Sequence, residues 1–268
     1  MRESLELARE LGDRQGIAVS LNALGVTARD RGDVSGARAL LEQSLEVWRE
    51  AGDPRAVARA LSNLANVVKL QGDYERARSL YQECLVVFRD LGDRGGIAWS
   101  MNYLGDVARD QGDGAGARGL YEASLTAFRE LGERWGVASS LADLGSLAQG
   151  EGDWAAAHSL YGQSLKVFQE LGHKRGVARL MECFASSAAS RAHAESALRL
   201  AGAAAALRHA IGAPLNPAEQ SKLESTLAPA RRALAHTSGT TAWLEGWAMP
   251  ADKAIEEALA SGASAPAP

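Results

Sequence analysis

The sequence LSNLANVVKLQGDYERARSLY, at residues 61–81, indicates the fold because similar segments recur every forty residues. Aligned at this shift, the chain contains four copies, at residues 11–50, 51–90, 91–130 and 131–170. Each copy keeps a leucine followed by a small residue, then a Gly-Asp pair, an alanine, and a large residue four positions later. In the second copy these are Leu64-Ala65, Gly72-Asp73, Ala77 and Tyr81. A fixed period of this length predicts a solenoid or another array of stacked units.

Each copy predicts two helices joined by the Gly-Asp turn. In the first copy we expect helix A over residues 17–30 and helix B over residues 34–51, because apolar residues recur at spacings of three and four. Glycine tolerates the left-handed turn, and aspartate accepts from free N–H groups at the next helix start. The small residue after the leucine should let the two helices approach closely. The inner face of helix B is predicted to comprise Ala37, Leu41, Ser44, Leu45 and Trp48.

The pattern L-x2-L-G-x2-small, G-D, A-x3-[LY] resembles the tetratricopeptide repeat over about residues 11–170. It departs from that repeat in its period of forty, and in lacking the usual proline near the end of helix B, where Arg49, Arg89 and Arg129 stand. The resemblance implies an all-α, right-handed α-solenoid of antiparallel helix pairs with longer helices. It also implies a protein or peptide ligand bound in a concave groove.

The first residues of the chain align with the end of a repeat. Residues 1–12 match residues 41–52, so we expect them to form the second helix of a truncated repeat. The apolar face of such an uncapped end is expected to favour self-association. The solenoid itself is assigned to residues 13–212, with four clear repeats and a degenerate fifth that has lost the Gly-Asp turn.

A helical C-terminal cap is predicted over residues 213–260. Asn216, Pro217 and Glu219 have the pattern of a capped helix start. Two further helices are expected around residues 241–248 and 251–260. The small, Pro-rich residues 261–268 are expected to be disordered.

The C-terminal part is similar to the end of large bacterial regulators of the LuxR and signal-transduction ATPase (STAND) kind. The resemblance rests on RLAGAAAALRHAIGAPLNPAEQSKLE and AWLEGWAMPADKAIEEAL, at residues 199–224 and 242–259. It implies that the chain is the sensing or interaction region of a larger bacterial signalling or transcription-regulator protein, with the ATPase upstream of Met1. The chain contains no GxxxxGK[ST] phosphate loop, so neither ATP nor DNA binding is assigned to it. The alternative is a free-standing scaffold or adaptor that binds a peptide in its groove.

Composition and residue spacing argue against several classes of function. The net charge of −4 gives no basic footprint for nucleic acid, and no apolar run is long enough for a membrane span. Two cysteines without CxxC spacing fit a reducing cytoplasm, where we expect the protein to be located. The five histidines lack metal-ligand spacing, so we expect no catalysis, metal or cofactor. His158 is interpreted as a surface residue, and Cys84 as a small core residue.

Helix A supplies the candidate contact surface. Asparagine can donate and accept together, so a row of asparagines is expected to clamp an extended peptide backbone: Asn22, Asn63, Asn66 and Asn102. A basic ladder could meet a carboxylate: Arg29, Lys69 and Arg109. Trp99 and Tyr103 add an aromatic surface. In the alternative interpretation, Asp30, Asp106 and Asp110 neutralise the ladder.

Overall fold

The computed structural model describes residues 2–261, and every helix or strand in that range is an α-helix. The helices are α1 Arg2–Glu10, α2 Arg14–Asp30, α3 Val34–Ala51, α4 Pro54–Leu70, α5 Tyr74–Asp90, α6 Arg94–Asp110, α7 Gly114–Leu131, α8 Arg134–Gly150, α9 Trp154–Glu170, α10 Lys174–Ser190, α11 Ala194–Ala210, α12 Pro217–Ala233, α13 His236–Ala248 and α14 Ala251–Ala260. Within this range no helix combines the length and apolar character that crossing a membrane requires.

The chain divides into two compact units between Gly132 and Glu133, each an α-solenoid of antiparallel helix pairs. Unit 1 contains α1–α7, in which each helix packs against its neighbours in sequence. Unit 2 contains α8–α14, in which α8–α11 form two further pairs. The even-numbered helices α2–α10 are the predicted A helices, and their odd-numbered partners α3–α11 are the B helices.

Each A helix is joined to its B helix by the predicted turn. The turn glycines have positive φ angles of 81–85° in the four clear copies: Gly32, Gly72, Gly112 and Gly152. The aspartate after each glycine caps the B helix; Asp33, for example, accepts from the backbone N–H of Gly36 at 2.9 Å. The degenerate copy instead has Ala192, with a φ of 62°, and His193, whose side chain makes no cap hydrogen bond. The degenerate copy therefore keeps the left-handed turn conformation but lacks both the glycine and the capping aspartate of the other copies.

The inner face of helix B is confirmed in the first copy, where the buried residues of α3 are the five predicted ones. The small residue of helix A lies directly against it. A Cβ on Gly25 would lie 2.7 Å from Cγ of Leu41, and a Cβ on Gly105 would lie 2.8 Å from the ring of Tyr121. Cys84 is 1% exposed and donates to the carbonyl of Ala58 at 3.2 Å, which confirms its core role.

The helices α12–α14 pack on α9, α10 and α11 in unit 2. The α12 start has the predicted capping box: Asn216 accepts from the N–H of Glu219, and Glu219 accepts from that of Asn216. The crossing of α13 with α11 is so close that a Cβ on Gly246 would lie 1.9 Å from the carbonyl oxygen of Arg199. Apart from Ser261, the predicted disordered tail lies outside the described residues. The boundary at residues 212–213 stays a prediction.

Two predictions in unit 2 are corrected. Helix α13 begins at His236, earlier than the predicted residue 241. His158 is half-buried, with its ring 5.2 Å from that of Phe184 and Nε2 3.3 Å from the carbonyl oxygen of Ala258. It is therefore a packing residue beneath α14, because that helix folds back over α9 from far along the chain.

Candidate functional site

The candidate site is the helix-A face of unit 1. We define it as the positions on α2, α4 and α6 that lie away from the paired B helices at helical spacing. Its residues, given helix by helix in equivalent order, are Val19, Asn22, Ala23, Val26 and Arg29; Arg59, Ser62, Asn63, Asn66 and Lys69; Trp99, Asn102, Tyr103, Asp106 and Arg109. Most of them are half-buried or exposed, so a ligand could reach them.

An amide pair lies on this face between α2 and α4. Nδ2 of Asn63 donates to Oδ1 of Asn22 at 2.8 Å. Within residues 2–261, this bond leaves Nδ2 of Asn22 and Oδ1 of Asn63 without a hydrogen-bond partner. One donor and one acceptor are what a single peptide unit needs, since it offers one carbonyl and one N–H.

The other two predicted asparagines have internal roles. Asn66 donates to the carbonyl of Ser62 at 3.0 Å and accepts from the Tyr81 hydroxyl at 3.0 Å. Asn102 is only 3% exposed and already has an interaction partner. The row of four predicted from the sequence therefore presents one accessible pair, Asn22 and Asn63.

The predicted aromatic residues are brought together on α6. The rings of Trp99 and Tyr103 lie 5.7 Å apart, and Tyr103 stacks on Tyr81 at 5.3 Å. Trp99 also packs on Phe128, at 4.7 Å between centroids. Both predicted residues are only half-buried. They form an apolar wall held in place by the rings beneath it.

The three residues of the basic ladder are each ion-paired. Lys69 contacts Oδ2 of Asp106 at 2.8 Å, and Arg109 contacts Oδ1 of the same carboxylate at 3.4 Å. Arg109 also pairs with Asp110 at 3.1 Å, and Arg29 with Asp30 at 2.8 Å. This geometry matches the alternative interpretation, in which neighbouring aspartates neutralise the ladder.

Asp106 is the centre of this charge cluster. Its Oδ1 also accepts from the Tyr121 hydroxyl at 2.8 Å. Burial alone would raise the pKa of Asp106, but the charges of Lys69 and Arg109 and the hydrogen bonds from Lys69 and Tyr121 hold that pKa below its ordinary value. Asp106 is therefore a structural carboxylate that remains ionised.

The hydrogen bonds from the helix-B tyrosines to this face are not among the contacts that the repeat pattern predicts. Each tyrosine hydroxyl bonds to a polar residue fifteen positions earlier on the A helix: Tyr81 to Asn66, Tyr121 to Asp106 and Tyr161 to Ser146. The first copy instead has two apolar residues in these places, Leu41 and Val26. The two positions therefore vary together among the copies, and this covariation is the sequence signal from which the contact could be predicted.

Unit 2 has its own ion pairs, one between two A helices and one between the A helix α10 and the B helix α11. Arg179 on α10 contacts Oδ1 of Asp143 on α8 at 2.6 Å, and Asp143 is 4% exposed. Arg208 pairs with Glu182 through two hydrogen bonds, of 2.5 and 2.9 Å. These contacts leave the equivalent face of unit 2 occupied by internal partners.

An apolar surface is present at the first helix of unit 1. Leu7 and Leu11 are 55% and 73% exposed. The self-association expected for this surface stays a prediction.

Comparison with solved structures relates the fold to other helical arrays. The chain is similar to BtubC (BKLC) from P. vanneervenii, with 21% identity and a TM-score of 0.57, over 86% of this chain and 87% of that one. It is similar to aspartyl phosphate phosphatase F from Bacillus subtilis, with 13% identity and a TM-score of 0.58, over 82% of this chain and 61% of that one. It is also similar to a STAND protein with a tetratricopeptide repeat sensor from Pyrococcus horikoshii, with 15% identity and a TM-score of 0.59. That match covers 85% of this chain and 38% of the other.

No curated protein sequence matches the chain. The tetratricopeptide repeat family model matches it three times in overlapping windows, at residues 17–90, 56–130 and 96–170. Together these windows cover more than half of the chain and contain α2–α9 nearly in full. The chain belongs to the tetratricopeptide repeat family.

Proposed function

We propose that the chain is a protein-interaction module that binds an extended peptide segment of its partner on the helix-A face of unit 1. The observation that carries the proposal is the Asn22–Asn63 pair, which keeps one free donor and one free acceptor on the face that also carries the apolar wall of Trp99 and Tyr103. Two such hydrogen bonds can fix a peptide unit, and Trp99 and Tyr103 can cover the neighbouring side chains. No catalytic activity is proposed, since the repeat is in general an interaction scaffold.

The finer proposal is that this module is the sensing region of a larger bacterial signalling or transcription-regulator protein. It is supported by the resemblance of residues 199–224 and 242–259 to such regulators. The similar STAND protein is described as having a tetratricopeptide repeat sensor, which is compatible with the same role. Sequencing the gene around this region tests the proposal. A P-loop ATPase domain in the same reading frame is expected, and a frame without one would exclude this context.

Peptide binding is tested with a displayed library of random decapeptides, selected on the full chain. The tightest selected peptide is then labelled with fluorescein and titrated against variants. We expect Asn63→Ala to weaken binding about thirtyfold, because two hydrogen bonds of roughly 1 kcal/mol each are lost. Asn63→Ala is preferable to any change at Asn66, which also bonds to Tyr81 within the fold.

The matched control is Gln82→Ala, which removes an exposed amide from helix α5. We expect its affinity to equal that of the unmodified chain. Equal affinity for Asn63→Ala, or failure of the library to yield any binding peptide, would contradict binding on this face. Circular dichroism establishes that both variants fold.

A further inference from the structure

Among the described residues, one cation on the helix-A face of unit 1 forms no ion pair. This cation is Arg59, which is exposed. The other two basic residues of α4 form ion pairs: Arg55 pairs with Asp93 at 3.0 Å, and Lys69 pairs with Asp106. The other cations of this face are neutralised by carboxylates, so the positive charge of Arg59 is the uncompensated charge of the face.

Unit 2 shows what an arginine at this repeat position does when a carboxylate is available. Arg179 stands at the position of Arg59, and its guanidinium contacts the carboxylate of Asp143, thirty-six residues earlier on the preceding A helix. The same separation counted back from Arg59 arrives at Ala23 on α2. The position that would hold the partner of Arg59 is therefore occupied by Ala23, which has only a methyl side chain. Ala23 is half-buried, so a ligand could reach this position.

The place left by the missing carboxylate adjoins the free amide groups. Ala23 follows Asn22 directly, and Asn22 and Asn63 retain the uncommitted donor and acceptor. A ligand backbone bound to these amides would bring a neighbouring side chain towards Arg59. The residues equivalent to Arg59 on the adjacent A helices are apolar: Val19 is 56% exposed, and Trp99 is half-buried.

We infer that the peptide bound by unit 1 carries an aspartate or glutamate that pairs with Arg59, flanked by apolar residues that contact Val19 and Trp99. The inference rests on the proposed function and names the chemistry of its ligand. In the complex the ligand carboxylate pairs with Arg59 as Asp143 pairs with Arg179 in unit 2. Arginine suits this role because its planar guanidinium can bind a carboxylate through two parallel hydrogen bonds.

The test uses the same random decapeptide library on the full chain. The selected peptides are expected to share one acidic position with apolar neighbours. Replacing that residue by glutamine or asparagine in the tightest peptide should weaken binding to the unmodified chain about tenfold. It should leave binding to the Arg59→Ala variant nearly unchanged, because the two changes remove the same interaction.

A second pair of variants tests the missing carboxylate directly. Ala23→Asp supplies an internal partner for Arg59 at the place of Asp143, so it should compete with the ligand and weaken binding about tenfold. Ala23→Asn has nearly the same shape as Ala23→Asp without the charge and is the matched control, expected to weaken binding at least about threefold less than Ala23→Asp. Ala23 is half-buried, so both variants are expected to fold. Circular dichroism checks this.

The outcomes separate this inference from the proposed function. Binding peptides without an acidic preference, or an acidic peptide whose affinity is unaffected by Arg59→Ala, would overturn the inference and leave peptide binding standing. Equal weakening by Ala23→Asp and Ala23→Asn would also overturn it, since shape alone would then account for the effect. A library that yields no binding peptide at all would contradict both.

Discussion

The hydroxyl of Tyr121 donates a hydrogen bond to Oδ1 of Asp106, 2.8 Å away. It therefore links the inner face of the B helix α7 to the helix-A face of unit 1. The tyrosine is completely buried, and its ring lies against Gly105. Asp106 in turn pairs with Lys69 on the preceding A helix. One buried ring thereby joins three helices, α4, α6 and α7, and fixes the geometry of the helix-A face.

The first prediction concerns the strength of this link. Tyr121→Phe removes a hydrogen bond to a charged acceptor and should lower the free energy of unfolding by about 2 kcal/mol. Tyr81→Phe is the matched control in the same unit, because the acceptor of Tyr81 is the neutral Asn66. It should cost about 1 kcal/mol. Urea unfolding followed by circular dichroism measures both, and a larger loss for Tyr81→Phe would contradict the role given to Asp106.

The second prediction is a pH dependence. The pKa of Asp106 is lower in the folded chain than in the unfolded chain, so its contribution to stability is present above the unfolded pKa of about 4. That contribution is lost as the pH falls from there through the folded pKa. Asp106→Asn should therefore be less stable than the unmodified chain at pH 7, and the gap should narrow at pH 3. Urea unfolding at the two pH values tests this, and a gap of constant size would show that Asp106 does not titrate as described.

The third prediction concerns the close approach of the two helices of a pair. Gly105→Ala would place a methyl group 2.8 Å from the Tyr121 ring, which is buried and cannot move aside. Overpacking of this kind costs about 1–3 kcal/mol, which exceeds the gain of up to about 1 kcal/mol from better helix propensity.

The matched control is Gly119→Ala on α7, where a Cβ would meet nothing within 4 Å. This variant should gain about 0.5–1 kcal/mol, because alanine favours a helix interior. Thermal unfolding of both variants checks the pair. If Gly105→Ala is stabilised as much as Gly119→Ala, the glycine is not required by packing.

The fourth prediction concerns the degenerate turn of unit 2. Ala192 has a positive φ, which glycine adopts without the steric cost of a Cβ, so Ala192→Gly should stabilise unit 2 by about 1 kcal/mol. His193→Asp should add a similar amount by supplying the missing N-cap. The opposite change, Gly152→Ala at a φ of 81°, should destabilise the same unit. Differential scanning calorimetry measures the three, and a loss of stability in Ala192→Gly would contradict the account.

Much of the fold could be predicted because it depends on local chemistry repeated four times. The Gly-Asp turns fix where the B helices begin, and the capping residues Asn216 and Glu219 fix the start of α12. Helix α2 begins at Arg14, three residues before the predicted start, because Asp13 caps it by accepting from the N–H of Gly16. The start of α13 could not be predicted, because its first turns are polar and contain Gly239, and its packing on α11 involves residues far away in the sequence.

The candidate site was harder to predict, because repeat spacing does not show which of its polar side chains bond to other residues of the chain and which face solvent. Repeat spacing places Asn63 and Asn66 on one face, but only the reach of the Tyr81 hydroxyl decides that Asn66 is committed internally. Spacing also marks Lys69 as a groove cation, whereas the distance to Asp106 shows that it is neutralised. The free state of Arg59 depends in the same way on a residue of another repeat, Ala23.

Peptide binding on the helix-A face of unit 1 can be located by photo-crosslinking the tightest selected decapeptide to the full chain. A diazirine-bearing residue is placed in turn at each peptide position, and the crosslinked residues are located by mass spectrometry. We expect crosslinks on α2, α4 and α6, centred on Asn22, Asn63 and Tyr103. Crosslinks confined to the B helices α3, α5 and α7, or to unit 2, would contradict it.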